Sequence, residues 1–477
     1  MISYYLTVIT IVLGVGAYLW IARTRRRAQA GLAGSAFPVS SARNDRPLWE
    51  VYKEWSDACG STMIHLMLQR SDVVVINDYP TAHELLVVRS LDYSSRPHFP
   101  MMDLIGRQDN VVVQKYGQRL KIARQMINDT FGSRKSEEWL PVVQTVSSEF
   151  LSRLLADPAD FRRSIQRYVG TFTTRLTYGK DLDTDYLRLV DQVGEHVSQA
   201  AVPGRWWVNS YPFLRYYPSW APGGGFQRWA RHARGLFREF TLRPFNSVKE
   251  QLQRSPDTVP FSFVQKNLIQ VKNDPSMETI VAGTAASLYS AAVDTTSSIL
   301  TTFFLLMATH PHIQEKAAAE IREVVGQDRL PNLGDAGDLP YVEALIKELH
   351  RYHPVVRFLT RSASKSDEHG GHLVPQNAWV LTNIWAITRN KSEFEDPDQF
   401  DPDRFIQGGT HINDIRARDP RDFTFGMGRR RCPGMAIANA AVYLAITRVL
   451  ATFLIKPVKD EGSNSAPQIE FTKSTIS

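Results

Sequence analysis

One uninterrupted helical pattern, over residues 274–309, constrains the fold of this 477-residue chain more than any other feature. Asp274 is a favourable N-cap residue, Pro275 suits the first helical position, and His310 followed by proline predicts the end of the helix. A helix of this length spans about 50 Å, the full width of a domain. The charged Asp294 and many serines and threonines argue against a membrane span, so the helix must run through a protein core.

Two short alternating runs, 73–76 and 379–382, have the period and the β-branched content of strands. Most of the remaining chain has helical periodicity, with joints rich in proline and glycine at 202–226 and 370–376. The predicted fold class is therefore α-rich α+β, in which a small sheet accompanies many helices.

The two cysteines, Cys59 and Cys432, are too few and too far apart for a disulfide framework or a four-cysteine zinc module. Cys432 follows the stretch FGMGRRR and precedes Pro-Gly and an apolar helical pattern. A cysteine at a helix N-terminus has its thiolate favoured by the helix dipole. Gly428 and Gly434 permit close approach of a flat ligand, and Arg430 can pair with a carboxylate on it. The alternative is a buried structural cysteine on a turn.

This loop resembles the haem-binding loop of the cytochrome P450 family, in which a cysteine thiolate is the proximal haem ligand. The matching positions are Phe425, Gly428, Arg430, Cys432 and Gly434. The resemblance extends from the N-terminal segment to about residue 454. It implies the mainly helical cytochrome P450 fold, a haem b cofactor with Cys432 as axial ligand of the iron, and a monooxygenase that uses O2.

Two further motifs match the family in order along the chain. Glu348 and Arg351 match its E-x-x-R motif on one helical face, although such a pair alone is typical of a solvated surface. Residues 400–405, FDPDRF, resemble its PERF-type segment, with Asp403 where glutamate is commoner. The resemblance implies that Glu348, Arg351 and Arg404 form a structural salt-bridge network on the proximal side of the haem.

Residues 291–296, AAVDTT, lie within the long helix and resemble the oxygen-activation segment of the family. The resemblance implies that Thr295 holds a water beside the open face of the haem. Asp294 would link that water to bulk protons, and protons are needed as oxygen is reduced. Without the haem loop, a threonine bonded to its own i−4 carbonyl would be the simpler interpretation. Ala292 replaces the commoner glycine and narrows the groove by one methyl group.

Two arginines are predicted to pair with the haem propionates. Arg124 lies at the arginine of the family's W-x-x-x-R helix, and Arg361 lies at the usual propionate-pairing position on a strand. Leu120 occupies the tryptophan position of that helix, which removes one hydrogen-bond donor. Either arginine could instead be an ordinary surface residue.

Residues 2–22 form an apolar run that, as a helix of about 31 Å, could cross a bilayer. An arginine cluster follows this run rather than preceding it, which favours a signal anchor over a cleaved signal peptide. We therefore expect a single-pass protein of the endoplasmic reticulum membrane with a cytosolic catalytic domain. The predicted units are an anchor with its basic cluster (1–27), a linker (28–50) and one haem-thiolate domain (51–477).

The net charge of +7 includes the arginines after the anchor, so the remaining surplus is weak evidence for nucleic-acid binding. No G-x-G-x-x-G motif lies between a strand and a helix, so no nicotinamide or flavin site is predicted. The family resemblance implies electrons from NADPH–cytochrome P450 reductase on the same membrane, with cytochrome b5 as an optional donor. Candidate docking charges are Arg119, Lys121, Arg429 and Arg431.

Two histidine pairs are the remaining pattern that could indicate a metal. These are His350 with His353 and His369 with His372. Because nothing in the sequence organises them into a ligand set, all four are interpreted as loop or surface residues.

The segment 202–226, with its WWV and PSW-x-PG-x-GF patterns, resembles fungal microsomal members of secondary metabolism. The expected substrate is a lipophilic metabolite such as a terpenoid, polyketide or indole derivative. Regions expected to line its pocket are 101–110, 289–293 and 355–360. Two alternatives remain open: a haem-thiolate isomerase or dehydratase without external electrons, and a non-catalytic haem sensor. The Asp294–Thr295 pair argues against both, because neither function requires an acid–alcohol pair.

Overall fold

The computed structural model describes residues 46–457, apart from 69–70, 203 and 407–417. The predicted anchor (1–27) and residues 28–45 of the predicted linker lie outside the described residues. Helices dominate the described chain, as the fold class requires. They are α1 (Leu48–Cys59), α2 (Tyr79–His83), α3 (Pro100–Leu104), α4 (Gln118–Phe131), α5 (Ser136–Ala156), α6 (Phe161–Tyr178), α7 (Thr184–Ala201), α8 (Trp207–Ser210), α9 (Gly225–Arg254), α10 (Phe263–Val271), α11 (Pro275–Thr309), α12 (Pro311–Val325), α13 (Pro340–Tyr352), α14 (Ile384–Thr388), α15 (Arg421–Thr424) and α16 (Met435–Thr452).

Helix α11 has the limits predicted from its sequence. The Asp274 side chain caps it by accepting hydrogen bonds from the backbone N–H groups of Ser276, at 2.8 Å, and Met277. The helix packs against α6, α9, α10 and α16, and its buried residues lie on both sides of its middle, within 280–289 and 296–307. Helices α11 and α16 are apolar and long enough to cross a membrane by composition alone, yet both contribute buried residues to the main core. The long helix therefore runs through the core.

The sheet is small and mixed. Its strands are β1 (Met63–Leu68), β2 (Ser71–Ile76), β3 (Phe358–Ser362), β4 (Asp367–His369), β5 (His372–Val374) and β6 (Trp379–Asn383). Four of them form a sheet in the order β1-β2-β6-β3, in which β2 and β6 are parallel and the other pairs are antiparallel. The predicted strands at 73–76 and 379–382 are therefore neighbours. The predicted joint at 370–376 includes the turn and second strand of the hairpin β4–β5, with Gly370 and Gly371 at positive φ.

The chain around Cys432 joins two hydrophobic cores. On its N-terminal side, Phe423 and Met427 are buried in the core beneath the sheet. On its C-terminal side, α16 is buried in the large helical core from Ala440 onward. Both ends of the cysteine loop are thus held by packing, which fixes the loop between the sheet and the helices.

The structure brings together the three residues of the predicted ion-pair network. Arg351 donates two hydrogen bonds of 2.7 Å to the carboxylate of Glu348, and both side chains are fully buried. Arg404 adds a third contact to Glu348 at 3.2 Å. The backbone N–H of Asp401 also donates to Glu348, at 2.9 Å. The network therefore ties α13 to the segment that leads toward the cysteine loop.

Two histidine assignments from the sequence are wrong. His350 and His353 were expected in a loop or at the surface, but both are buried, in α13 and at its C-terminal end. Burial lowers the pKa of His350 to about 4 and that of His353 to about 3, so both are neutral. Thr302 and Arg357 contact the ring of His353. Within the described ranges, no group of His, Cys, Asp or Glu side chains is arranged to hold a metal ion.

Replacing Glu348 with alanine should destabilise the protein by about 3–5 kcal/mol, because it leaves the buried Arg351 without its counter-ion. Thermal unfolding would measure the loss. A matched control is Asp185→Ala, which breaks an i, i+3 pair with Arg188 whose side chains are 75% and 74% exposed. That control should change stability by less than about 0.5 kcal/mol. Equal effects of the two substitutions would contradict a stabilising role for the buried network.

Candidate active site

The loop before Cys432 is closed by its own backbone. The N–H of Cys432 donates to the carbonyl oxygen of Phe425 at 2.7 Å, and α16 begins two residues beyond Pro433. Gly428 has φ +61°, and a Cβ built on it would lie 1.8 Å from the carbonyl oxygen of Leu86. Only glycine fits there, so the loop is pressed against the helical turn Glu84–Val88.

The Cys432 thiol combines accessibility with a desolvated environment. A water-sized molecule can reach Cys432. The surrounding protein atoms nevertheless desolvate its thiol, and this desolvation raises the pKa of the thiol. Both observations hold if the sulfur faces open space within the protein rather than its outer surface. The Gly434 backbone and the charges of Arg124 and Arg431 oppose the increase. A bound metal ion would remove the proton, because a coordinating thiol is deprotonated outright.

Four arginines converge near this loop. Arg361 is only 2% exposed, and burial lowers the pKa of its guanidinium well below the usual value. The positive charges of Arg96, Arg430 and Arg124 lower it further. In the part of the chain that the structure describes, no carboxylate forms an ion pair with any of the four. The cluster therefore carries positive charge that the described residues do not balance.

Backbone carbonyl groups satisfy much of the hydrogen bonding of this cluster. Arg361 donates to the carbonyl of Thr360 at 2.9 Å, and Arg124 donates to that of Arg431 at 2.7 Å. Arg96 also donates to Thr360, but its Nε is buried without a partner. Carbonyl dipoles satisfy the N–H groups without neutralising the charge, so the cluster still favours an anion.

Arg430 differs from the other three members. Its guanidinium donates to the carbonyls of Ser94, at 2.8 Å, of Val111, at 3.1 Å, and of Gln114. It therefore joins the cysteine loop to the 94–114 segment. Arg361, Arg124 and Arg96 each make fewer hydrogen bonds to the protein than Arg430 does. The expected pairing of Arg430 with a carboxylate of the ligand remains a prediction.

The residues present fit a haem. The thiol of Cys432 is suited to an iron ligand, and the unbalanced arginines supply positive charge for two propionates. Gly434 has no side chain beside the sulfur, and a Cβ built there would lie 4.0 Å from Sγ, at ordinary van der Waals contact. Arg96 was missed by sequence reasoning, because it lies in no motif and joins the cluster only through the tertiary fold.

The middle of α11 contains the predicted acid–alcohol pair. Ala291 and Asp294 are exposed, although the helix is buried on both sides of them along the chain. This pattern indicates open space beside the middle of the helix. The hydroxyl of Thr295 donates to the carbonyl of Ala291 at 2.8 Å. Its oxygen can still accept a hydrogen bond, so Thr295 can hold a water as an acceptor.

Asp294 has an acidic neighbour that the sequence did not indicate. Although Asp294 is solvent-accessible, nearby protein atoms partly desolvate its carboxyl group. This desolvation, together with the negative charge of Asp191 on α7, raises the pKa of the carboxyl above its usual value. Helices α7 and α11 are brought together by a shared apolar cluster that includes Val193 and Tyr289. Asp294 therefore holds its proton more tightly than an isolated aspartate, which suits a group that passes protons inward.

Comparison with known proteins identifies a family. The family model for "Cytochrome P450" matches residues 33–474. "Cytochrome P450 monooxygenase COX1" of Coprinopsis cinerea is 34% identical over 432 residues, covering 88% of this chain and 83% of the relative. "Cytochrome P450 monooxygenase 208" of Postia placenta is 32% identical over 452 residues, covering 94% and 86% of the two chains.

A solved structure supports the fold. A zebrafish cytochrome P450 determined with progesterone superimposes with a TM-score of 0.70 at 24% identity, over 85% of this chain and 92% of that one. The expected α-rich fold with small sheets is confirmed by this similarity.

Replacing Cys432 should abolish haem-thiolate ligation. Reduced wild-type protein under carbon monoxide should show the red-shifted Soret band of thiolate coordination, and Cys432→Ala should lose it. Cys59→Ala is the control, because Cys59 lies at the end of α1, outside the site. Loss of the band in Cys59→Ala, with retention in Cys432→Ala, would contradict the assignment.

Proposed function

The chain belongs to the cytochrome P450 family and is a monooxygenase with a thiolate-ligated haem, and from this premise we propose a more specific function. The protein is membrane-bound, receives electrons from NADPH–cytochrome P450 reductase, and oxidises a lipophilic small molecule of secondary metabolism. The juxtaposition of Cys432 with an unbalanced arginine cluster supports the haem site most strongly.

The haem, when bound, supplies the iron at which O2 is reduced and one oxygen atom is inserted into the substrate. Cys432, just before α16, would hold the metal. Arg361, Arg124 and Arg96 would hold the propionates and so orient the cofactor. The glycines of the loop permit close approach, and packing at both ends of the loop keeps the sulfur in place.

Proton supply is assigned to two residues of α11. Thr295 accepts a hydrogen bond from a water, because its own hydroxyl hydrogen is donated to Ala291. That water can donate its second hydrogen toward the reacting oxygen. Asp294, whose pKa is raised by desolvation and by nearby Asp191, then donates a proton to replace the one that the water has given up. Reduction of O2 by external electrons requires protons, which this pair would deliver. An isomerase or a sensor does not reduce O2 in this way and does not need the pair.

The reductase is proposed to dock on the side of α4 and the cysteine loop. Of the four candidate docking charges, Arg119 pairs with Asp109 and Arg431 pairs with Asp422. The remaining two share a contact with Tyr116: Lys121 lies over its ring, and Arg429 donates to its hydroxyl at 3.3 Å. Lys121 and Arg429 are exposed and have no carboxylate partner among the described residues, so they are the preferred contacts for an acidic partner.

An exposed aromatic surface supports membrane association. Between α7 and α9, the side chains of Trp207, Phe213, Tyr216 and Trp220 are 68–83% exposed. Arg215 lies over the ring of Tyr216. Tryptophan and tyrosine with adjacent arginine are favoured at membrane–water interfaces. This surface would contact the bilayer beside the predicted anchor.

The function is tested by co-expression with a reductase and product analysis on extracts of the native host. The proposal requires an oxygenated product that depends on NADPH and on the reductase. A product formed without either would instead indicate the isomerase or dehydratase alternative. Haem binding without any NADPH-dependent product would favour the sensor.

Thr295→Ala should uncouple NADPH oxidation from product formation, because the water that supplies protons is poorly held. Product per NADPH should fall several-fold and hydrogen peroxide should rise, whereas haem content should change little. Thr295→Ser should recover much of the coupling, since it keeps the hydroxyl. Thr296→Ala is the control, because this side chain points about 100° away around the helix. Unchanged coupling in Thr295→Ala would show that another group holds the water that supplies protons.

Deletion of residues 1–27 should convert a carbonate-resistant membrane protein into one that high salt or mild detergent extracts, with haem retained. The remaining association should depend on the aromatic surface, so Trp207→Ser together with Trp220→Ser should reduce it further. Membrane fractionation would measure both effects. Carbonate resistance of the deletion variant would contradict the assignment of the anchor.

A further inference from the structure

Arg107 is a buried arginine that the site described above does not use. It is only 7% exposed, and burial lowers the pKa of its guanidinium to about 10, so it stays charged at neutral pH. Its Nε is buried without a hydrogen-bond partner. Among the residues that the structure describes, no carboxylate lies within ion-pair distance of Arg107. An unpaired buried charge is costly, which suggests that a ligand supplies the counter-ion.

Arg107 lines a cavity of about 420 Å³, and most of the surface exposed in this cavity is apolar. Its apolar lining residues are Pro97, Phe99, Met102, Val113 and Leu120. The guanidinium carbon of Arg107 lies 5.2 Å from the ring centroid of Phe237. A hydrocarbon group would fit this lining, and an anionic group would meet the guanidinium.

Other charged residues of this cavity are already paired or exposed. Asp103 contacts His98 at 2.7 Å, and Arg119 contacts Asp109 at 2.9 Å. Lys115 is exposed to solvent. Arg107 is therefore the buried charge of the cavity that still needs a partner.

Arg107 is electrostatically separate from the four-arginine cluster. Burial alone accounts for the change in its pKa, with no contribution from Arg361 or its neighbours. The segment that carries Arg107 is also fixed against α11. The backbone N–H of Val111 donates to the hydroxyl of Ser287 at 3.0 Å, and a Cβ on Gly283 would lie 2.9 Å from the carbonyl oxygen of Asp109.

Phe237 connects this cavity with the catalytic part of α11. It belongs to the apolar cluster that contains Tyr289, against which Val293 packs. Val293 directly precedes Asp294 in the chain. Arg107 therefore lies beside the apolar cluster that packs against the catalytic part of α11.

We propose that Arg107 binds a carboxylate of the substrate, so the substrate class is an apolar carboxylic acid. This inference rests on the proposed function, since it specifies the lipophilic molecule to be oxidised. One guanidinium balances one negative charge, and its planar N–H groups match a carboxylate in bidentate geometry.

The test uses the haem-loaded protein and needs no turnover. Dodecanoic acid and methyl dodecanoate are matched probes, and their binding is followed by the shift of the haem Soret band. Wild-type protein should bind the acid at least about tenfold more tightly than the ester. Arg107→Met should abolish this preference and leave ester affinity within about twofold of wild type. Arg107→Lys, which keeps the charge, should retain part of the preference.

Arg119→Met is the matched control, because Arg119 lines the same cavity but is already paired with Asp109. Its acid preference should equal that of wild type. Equal affinity of wild type for acid and ester, across chains from octanoic to hexadecanoic acid, would overturn the proposal. A preference that persists in Arg107→Met would overturn it too. An acid preference without NADPH-dependent product would refute the proposed function and leave the binding assignment intact.

Discussion

Unbalanced positive charge around Arg361 is the constraint on which the active site depends. Four guanidinium groups meet in the interior, and their N–H groups bond mainly to backbone carbonyls. Burying charge without a counter-ion costs several kcal/mol, so this arrangement is favourable only with an anion present. The two propionates of a haem, together with the Cys432 thiolate, would supply three negative charges. Cofactor binding and the packing of this region are therefore energetically coupled.

The fold holds this charged centre from two directions. The helical core fixes α11 and α16, while the sheet core fixes the start of the cysteine loop. The Glu348–Arg351–Arg404 network adds a buried connection between α13 and the segment before the loop. Gly428 completes the fit, because the loop could not approach Leu86 with a larger residue.

Features set by local sequence were predictable. The limits of α11 followed from Asp274 and the proline after His310, and the cysteine loop followed from its own motif. Features that depend on distant segments were not. Arg96 and Asp191 reach the site only through tertiary packing, and neither lies in a recognisable pattern. Arg107 could not be distinguished from a surface arginine before its burial was known.

The error over His350 and His353 has a different cause. Both residues lie three positions apart at the end of α13, so one helical face can bury both. Their polar type suggests a surface position, but the helical periodicity allows both to be buried. In the structure they are buried and neutral, and His353 bonds to Thr302 and Arg357. Polar residue type was therefore a poorer guide to burial than helical position.

The most direct measurement compares the thermal stability of Arg361→Met with that of wild type, each prepared with and without haem. If the propionates balance the cluster, the substitution should destabilise the haem-loaded protein, because a propionate loses its partner. The same substitution should stabilise the haem-free protein, because a buried unpaired charge is removed. This reversal of sign is what the account predicts. A change of the same sign in both forms would contradict it.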